Sequence, residues 1–513
     1  MTTAPRQSGS PPADTAWPGG LTPAQVIPVA QALLAGVAAI GASYAVAGSS
    51  PAFVVAPVAA LVVALTPDVV VTLSITLLGD AGKLLGLATA LALTAGLLGA
   101  AAFPWVWLAR DRAAVGGLLG GAVVAVLSWL VTEVPESAVA AGAGAALVVA
   151  LPHVVTAGSE DHGSEDAAGR RRLLTAVGAA VGTGLLGLAV APGSEASDGP
   201  AATDDAGVSD DSGSEVGRKL ALAEERSLDV DGLEGLVSSS FYTVDVAQFD
   251  PKVETGDWSL SVTGAVESER TYDFADVESR EYEHRFETLR CVGEKLNGHK
   301  CDTALWSGVP LWDLVEPANP QGKYVMLRAA DDYFEEFPVE AMRDGLLAVG
   351  MNGAGLPRQH GAPARALIPG HWGEINVKWI TEIEILDRPA KGYWERRGWH
   401  GTGPVNTVAK LWVENRLSDG RVEVAGHAYA GTRGVSRVEV STDGGKTWTD
   451  ATLSERLPGD DVWRQWVHRY DPPAEAHEVV VRAVDDDGRV QPEERREAFP
   501  SGPTGWVSTT VQP

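Results

Sequence analysis

Hydrophobic and polar positions divide the chain near residue 192. Before it, apolar runs follow one another with hardly a charge, at 22–48, 51–65, 69–79, 84–108, 113–134, 137–157 and 173–192. Most reach the roughly 20 residues that a helix needs to cross bilayer hydrocarbon. They are rich in Ala, Gly, Leu and Val, as packed membrane helices are. Thr66-Pro67-Asp68 interrupts 51–79, which reads as one kinked span or as two short pieces. The pattern predicts a multi-span α-helical membrane domain over 21–192 with about six spans, preceded by a Pro/Ser/Gly-rich tail at 1–20 with the composition of a disordered segment.

A Gly/Ser/Asp-rich stretch at 193–219 reads as a flexible acidic linker. Beyond it the apolar runs shorten. Those at 258–262, 323–327, 366–368 and 377–385 predict strands, and 306–315 and 338–346 predict helices, giving an α+β domain over 220–403. From 404 to 513 apolar residues recur with period two, and Ser441-Thr-Asp-Gly-Gly-Lys-Thr-Trp448 is a hairpin turn. About seven short strands there predict an immunoglobulin-like β-sandwich.

Charge sharpens the division. Residues 1–157 hold six acidic and four basic side chains; 158–513 hold 61 and 36, a net of −25. Phosphate contacts need clustered Lys and Arg, so nucleic acid is excluded as a partner. Only ten of the 40 basic residues are lysines. An acidic, lysine-poor surface reads as salt adaptation of the halophilic kind, where high ionic strength screens self-repulsion. Arg110 and Arg112 share one loop and Arg170-Arg171-Arg172 precede the last apolar run. The positive-inside rule makes both loops cytoplasmic and sends the last span outward. The expected protein is therefore a multi-pass plasma-membrane protein, in contact with lipid, whose soluble half faces the extracytoplasmic side. An internal twin-arginine export signal at 169–175 would place that half on the same side.

Both cysteines, Cys291 and Cys301, lie within 286–314. Cys291 follows a strand-like run and precedes Val292-Gly293, so its thiol is presented at a strand end. The spacing leaves three readings open: a disulfide, a buried packing thiol, or a soft metal ligand. One intervening His299 does not complete a zinc signature.

The motifs around Cys291 point to one family. They are Phe241-Tyr242, Thr288-Leu-Arg-Cys291-Val-Gly, Ala304-Leu-Trp-Ser-Gly-Val-Pro-Leu, Met351-Asn-Gly-Ala-Gly-Leu-Pro, His360-Gly-Ala-Pro-Ala-Arg365, Val377-Lys378-Trp379 and Tyr393-Trp-Glu-Arg-Arg-Gly-Trp399. In this order and spacing they resemble the sulfite oxidase superfamily of molybdopterin enzymes over nearly all of 235–513. The resemblance implies one molybdenum–molybdopterin per chain, with Cys291 as the protein ligand to the metal. It implies that His360 and Arg365 contact the pterin and its phosphate. A planar guanidinium suits phosphate. Asn376, Val377 and Lys378 would close the pocket. Ser239, Tyr242 and Thr243 match a first cofactor-contacting loop, and Ala329 a later backbone contact. Trp399 stands where the family has its active-site tyrosine. The terminal sandwich is similar to the family's dimerisation domain, which implies a homodimer. Cys301 is then a packing residue.

The departures from the family bear on the substrate. Its arginines are replaced by Val244 and by Glu294-Lys295-Leu296; an oxyanion needs cationic donors, and this pocket is expected to have lost some and gained an acid, Glu294. Lys295 and Arg290 are the candidates to compensate. Asp331, Asp332, Tyr333, Arg396 and Arg397 are further candidates to line the pocket, with a helix-end charge pair preferred for Arg396. The expected function is two-electron oxygen-atom transfer on a small molecule, with S- and N-oxides ranked above sulfite. Sulfite oxidase proper, and a non-catalytic surface binding protein that retains the fold, are the alternatives. The apolar runs contain one histidine, His153, and no cysteine, too few for a helix-bound haem. They are expected to anchor the protein or to dock a separate electron-transfer partner.

Overall fold

The structure, a computed structural model, describes residues 23–157, 165–190 and 214–512. The predicted tail at 1–20 and the linker from 193 to 213 lie outside these residues. In chain order the longer helices are α1 (Pro23–Ala47), α2 (Ala56–Leu65), α3 (Asp68–Leu73, continued by a π-helical turn at Ser74–Leu78), α4 (Asp80–Asp111), α5 (Ala113–Thr132), α6 (Pro135–Ala157), α7 (Glu165–Val190) and α8 (Glu215–Arg226). The last begins inside the stretch that composition assigned to linker; Ser214 caps it by accepting from the Gly217 amide. The chain packs as two units, Met1–Leu65 with Lys83–Ser194, and Thr66–Gly82 with Glu195–Pro513.

In the first unit α1 packs on α6 and α7, and α5 packs on α6. Small residues let the helices approach closely: a Cβ at Gly121 would lie 2.6 Å from the Gly142 carbonyl oxygen. Polar groups are paired between helices, Ser43 with Ser137 at 2.7 Å and Gln31 Nε2 donating to the Val148 carbonyl at 3.0 Å. Among the described residues five helices (α1, α4, α5, α6 and α7) are long and apolar enough to cross a membrane, against the expected six. The ambiguous 51–79 stretch resolves into two short pieces. Pro67 separates them, α2 has ten residues, and Thr66–Gly82 packs with the second unit.

The second unit contains nineteen strands among the described residues. Those that build the site are β1 (Ser259–Gly264), β2 (Arg270–Asp273), β3 (Glu283–Arg290), β4 (Cys301–Pro310), β5 (Tyr324–Ala329), β6 (Phe334–Pro338), β7 (Leu346–Met351), β8 (Ala354–Gly355), β9 (Arg365–Leu367) and β10 (Ile380–Leu386). One sheet has the order β2-β1-β10-β5-β6, with β1 and β10 parallel. The other has the order β3-β4-β7-β8, with β9 also on β7. Residues 306–315 are not the predicted helix: β4 occupies them to Pro310, and only Trp312–Val315 is helical. Nine of the ten β4 residues are buried, so both faces are covered and the alternation that marks a half-exposed strand is missing. The predicted helix at 338–346 is a single 3-10 turn, Val339–Met342, leading into β7.

Beyond 404, two antiparallel sheets form from Val408–Ala409, Val413–Arg416, Val422–Tyr429, Arg464–Tyr470 and Thr452–Leu453, and from Thr449–Asp450, Val435–Ser441, His477–Asp485 and Val507–Val511. The predicted boundary at 404 is not a gap in packing. One core holds Val216 and Ala223 of α8, Phe286, Leu305 and Trp399 together with Tyr429, Trp463 and Trp466. The Trp463 indole donates to the Leu236 carbonyl at 2.8 Å.

Candidate active site around Cys291

Strand β3 pairs with β4 in a register that sets Arg290 opposite Cys301, and Cys291 is the first residue past the strand. Its amide donates to the Lys300 carbonyl at 2.9 Å, which fixes the start of the 291–300 loop. Both cysteines are free thiols, which removes the disulfide reading. Cys301 is buried in β4 as a packing residue, its thiol pushed up to about 12 by burial. Cys291 is half-buried, and burial pushes its thiol up to about 11. A side chain at Gly293 would meet Trp399 Cη2 at 3.7 Å and Cys291 Sγ at 3.9 Å. The indole edge of Trp399 and the sulfur therefore share one small space. The Trp399 ring is held edge-on by Phe499 at 5.2 Å, and its Nε1 is buried without a hydrogen-bond partner among the described residues.

On one flank of Cys291 the predicted residues come together. Tyr242 Oη lies against the backbone at Gly373, where a Cβ would be 2.9 Å from it and 3.3 Å from the Arg290 carbonyl oxygen. The Tyr242 amide donates to Asp302 Oδ2 at 2.7 Å, and Phe241 stacks on its ring at 5.4 Å. Phe241 also meets the His360 ring edge-on at 5.5 Å. Burial, helped by the Arg365 charge, lowers the His360 imidazole to about 4, so it is neutral at pH 7. Arg365 donates through Nη1 to the His360 carbonyl at 3.2 Å and through Nη2 to the Asn376 carbonyl at 2.9 Å. Its Nε is buried without a partner among the described residues, and its guanidinium lies 5.2 Å over the Trp306 ring. The Asn376 side chain bridges backbone, accepting from Ile368 N at 2.6 Å and donating to Trp372 O at 3.1 Å. Val377 is buried and its carbonyl accepts from Ala366 N at 2.8 Å. Lys378 Nζ pairs with Asp245 and donates to the Gln359 carbonyl at 2.8 Å. Trp379 next to it has a positive φ of 48°, a sparsely populated conformation for so bulky a residue. Its indole donates to Arg358 O at 2.9 Å and its amide to Gly361 O at 3.3 Å, which hold it there.

Other predicted positions sit further out. Ser239 and Thr243 are exposed, and the Ser239 amide donates to Glu234 Oε1 at 3.0 Å. Ala329 ends β5 opposite Ile380, and Ala330 N donates to Trp379 O at 3.0 Å. Arg396 lies in the short 3-10 turn Glu395–Arg397, 4.4 Å over the Phe334 ring.

Two expectations about charge are corrected. Glu294 is not an acid facing the substrate side. It is buried, accepts from Arg290 Nε at 2.6 Å and pairs with Lys410 Nζ at 2.6 Å. Arg290, the expected compensating cation, is held by this pair and by the Asn406 carbonyl at 2.8 Å, and its Nη2 is buried without a partner among the described residues. Lys295 is at the exposed surface of the loop.

A feature that sequence reasoning missed occupies the other flank. Glu335 and Glu374 are buried, and Glu395 has both carboxylate oxygens buried without partners among the described residues. Burial pushes Glu374 up to about 8, with Glu395 adding to the shift, and Glu335 is raised well above the carboxylate range for the same reasons. Tyr333, a predicted lining residue, donates to the Glu374 carbonyl at 2.8 Å and lies 3.3 Å from Glu335 Oε1. The Glu374 carboxyl abuts Gly401, where a Cβ would lie 2.5 Å from Oε1, two residues past Trp399. Isolated glutamates in a sequence give no sign that they will meet.

Comparison with known proteins follows the same segments. A family profile described as "Oxidoreductase molybdopterin binding domain" matches residues 246–394, and one described as "Mo-co oxidoreductase dimerisation domain" matches 405–499. The chain is 32% identical over 231 residues to the mitochondrial sulfite oxidase of Mus musculus, covering 37% of this chain and 42% of that one. It is 26% identical over 303 residues to the sulfite oxidase of Arabidopsis thaliana, covering 46% and 77%. The chain thus spans less than half the length of the mouse relative. Among solved structures, the sulfane dehydrogenase SoxCD of Paracoccus pantotrophus aligns with a TM-score of 0.45 at 22% identity, over 56% of this chain and 87% of that one.

Proposed function

Because residues 246–499 belong to the sulfite oxidase superfamily of molybdopterin oxidoreductases, we propose that this chain is a membrane-anchored, molybdopterin-dependent enzyme that transfers an oxygen atom to or from a small substrate. The donor set fits that cofactor. A half-buried free thiol at a strand end offers one soft ligand. Beside it stand a buried arginine with an unpaired Nε and a neutral imidazole, ready for phosphate and pterin edges. Cys291 would hold the metal, and His360, Arg365, Asn376, Val377 and Lys378 the pterin and its phosphate. Tyr242, Ser239, Thr243 and Ala329 would complete the cradle. When bound, molybdenum in a single molybdopterin supplies two-electron oxygen-atom chemistry. The protein's part is to orient the substrate and keep water out, and Trp399 against Cys291 Sγ is the group positioned to do both.

The observation that bears most on the substrate is the acid content near Cys291. Glu335, Glu374 and Glu395 gather there, while Arg290 is tied to Glu294 and to the Asn406 carbonyl, with Nη2 buried without a partner among the described residues. Buried carboxyls disfavour a dianionic substrate. We therefore place a neutral S- or N-oxide ahead of sulfite. Assay of the molybdenum-loaded protein with sulfoxides, N-oxides and sulfite tests this. Turnover of a neutral oxide at least tenfold faster than sulfite is expected; the reverse order would make it a sulfite oxidase proper.

Five apolar helices support membrane anchoring. Arg110 and Arg112 precede α5 and Arg170 to Arg172 lie in α7, with α5 and α6 between them. The positive-inside rule then puts residues 48–79 and everything after α7 on the extracytoplasmic side. The two sheets beyond 404 support an immunoglobulin-like sandwich, and the second family profile supports a homodimer. A separate redox protein would exchange the electrons, and the acid-rich, lysine-poor composition supports salt adaptation.

A further inference from the structure

Segment Thr66–Gly82 is flanked in sequence by apolar helices of the first unit, yet it packs with the second unit. Three of its side chains face that unit: Asp68, Thr72 and Ile75. Their spacing of four and three residues puts them on one helical face. The Asp68 carboxylate lies 3.2 Å from Arg397 Nη2, Thr72 Oγ1 donates to the Arg397 carbonyl at 3.0 Å, and Ile75 packs on the core cluster that contains Trp372 and Trp399. Arg397 in turn lies 3.6 Å over the Tyr393 ring and donates to the Tyr393 carbonyl at 2.8 Å. Two residues later Trp399 N donates to Trp394 O at 3.1 Å, and its indole edge reaches the Gly293 and Cys291 Sγ space.

The outward side of the segment is apolar: Val69, Val70, Leu73, Leu77 and Leu78 are exposed, Leu77 at 76%. A helix on the surface of a soluble body turns its polar side to water and its apolar side to the core. Here the polar handle points inward and the leucines point out. Exposed apolar residues gathered in this way mark a surface that meets something apolar. Chain continuity identifies it, because the segment is joined at both ends to helices whose own leucines are outward, Leu65 at 72% and Leu84 at 69%.

We propose that Asp68–Leu78 is a membrane-surface strap. Its outward face rests in the headgroup–acyl boundary of the bilayer, and its inward face holds Arg397, steadying the Tyr393–Trp399 loop beside Cys291. Amphipathic segments bind such boundaries by apolar burial. Arg397 is then a positioning residue whose hold on the Trp399 loop depends on the membrane. This inference rests on the membrane-anchored reading above.

The full-length protein in phosphatidylcholine vesicles, spin-labelled at L73C or L77C, tests it. The parent chain serves as the background for the native thiols, and a label at exposed Lys446 serves as the aqueous reference. Collision with lipid-soluble oxygen relative to a water-soluble nickel chelate should be several-fold higher at 73 and 77 than at 446. Equal ratios would overturn the proposal, and labels shielded from both quenchers would replace lipid with a protein partner. D68A should speed hydrogen exchange of the Tyr393–Trp399 amides roughly two- to fivefold, the range a half-exposed ion pair carries; unchanged exchange would break the link to Arg397. Molybdenum content of the same samples separates the two readings. Lipid-facing labels without metal would sink the enzyme and leave the strap, and metal with aqueous labels would do the opposite.

Discussion

The two flanks of Cys291 are built from opposite materials. On one side a guanidinium, an ammonium and a neutral imidazole stand among backbone carbonyls, with Arg365 Nε unpaired. On the other, three glutamates cluster around Tyr333 and the Trp399 loop, with burial pushing Glu374 up to about 8 and raising Glu335 well above the carboxylate range. Cations in fixed positions can recognise a phosphate-bearing cofactor. Protonated, buried carboxyls bring no cationic charge, but they can donate hydrogen bonds to a bound oxygen. Under the proposed function, the contrast separates the groups that would recognise the cofactor from those that would meet the substrate.

Three substitutions probe that contrast, in falling order of expected effect. Removing one member of the buried Arg290–Glu294–Lys410 ionic set leaves uncompensated charge. E294A should therefore destabilise the second unit by roughly 3–5 kcal/mol in denaturant melts. A near-neutral result would mean that Glu294 faces the substrate after all. On the cofactor flank, R365M should lower molybdenum retention by about 10–100-fold with the fold intact, as loss of an orienting partner does for metal sites. Retained metal would detach Arg365 from the cofactor.

The glutamate flank makes a prediction about pH. The unfolded Glu374 carboxyl ionises near the ordinary carboxylate value, whereas the folded one keeps its proton up to about 8. Between those values the folded state binds more protons, so its contribution to stability is present at low pH and is lost as pH rises. E374Q should therefore gain on the parent by about 1 kcal/mol per pH unit across that window. Parallel stability–pH curves for the two proteins would show that Glu374 is ionised in the fold.

How much of this was legible in the sequence follows from what each signal depends on. Cys291 at a strand end and the long apolar helices of the first half depend on local pattern, and both were readable. The grouping of Tyr242, His360, Arg365 and Lys378 was readable as a set of ordered motifs. Strand β4 was misread because a strand buried on both faces has no alternation. The role of Glu294 was misread because its second partner, Lys410, lies 116 residues away. The strap was ambiguous for a related reason: hydropathy reports that 69–79 is apolar, not which side of it is turned to the protein.

The central claim is that Cys291 holds molybdenum in a molybdopterin cradle. Metal analysis of the purified full-length protein beside its C291S variant tests it most directly. The parent should carry close to one molybdenum per chain, and the C291S protein should melt like the parent but lack the metal's visible absorption. A parent without molybdenum when produced in cells that make the cofactor, or a C291S variant with an unchanged spectrum, would contradict it.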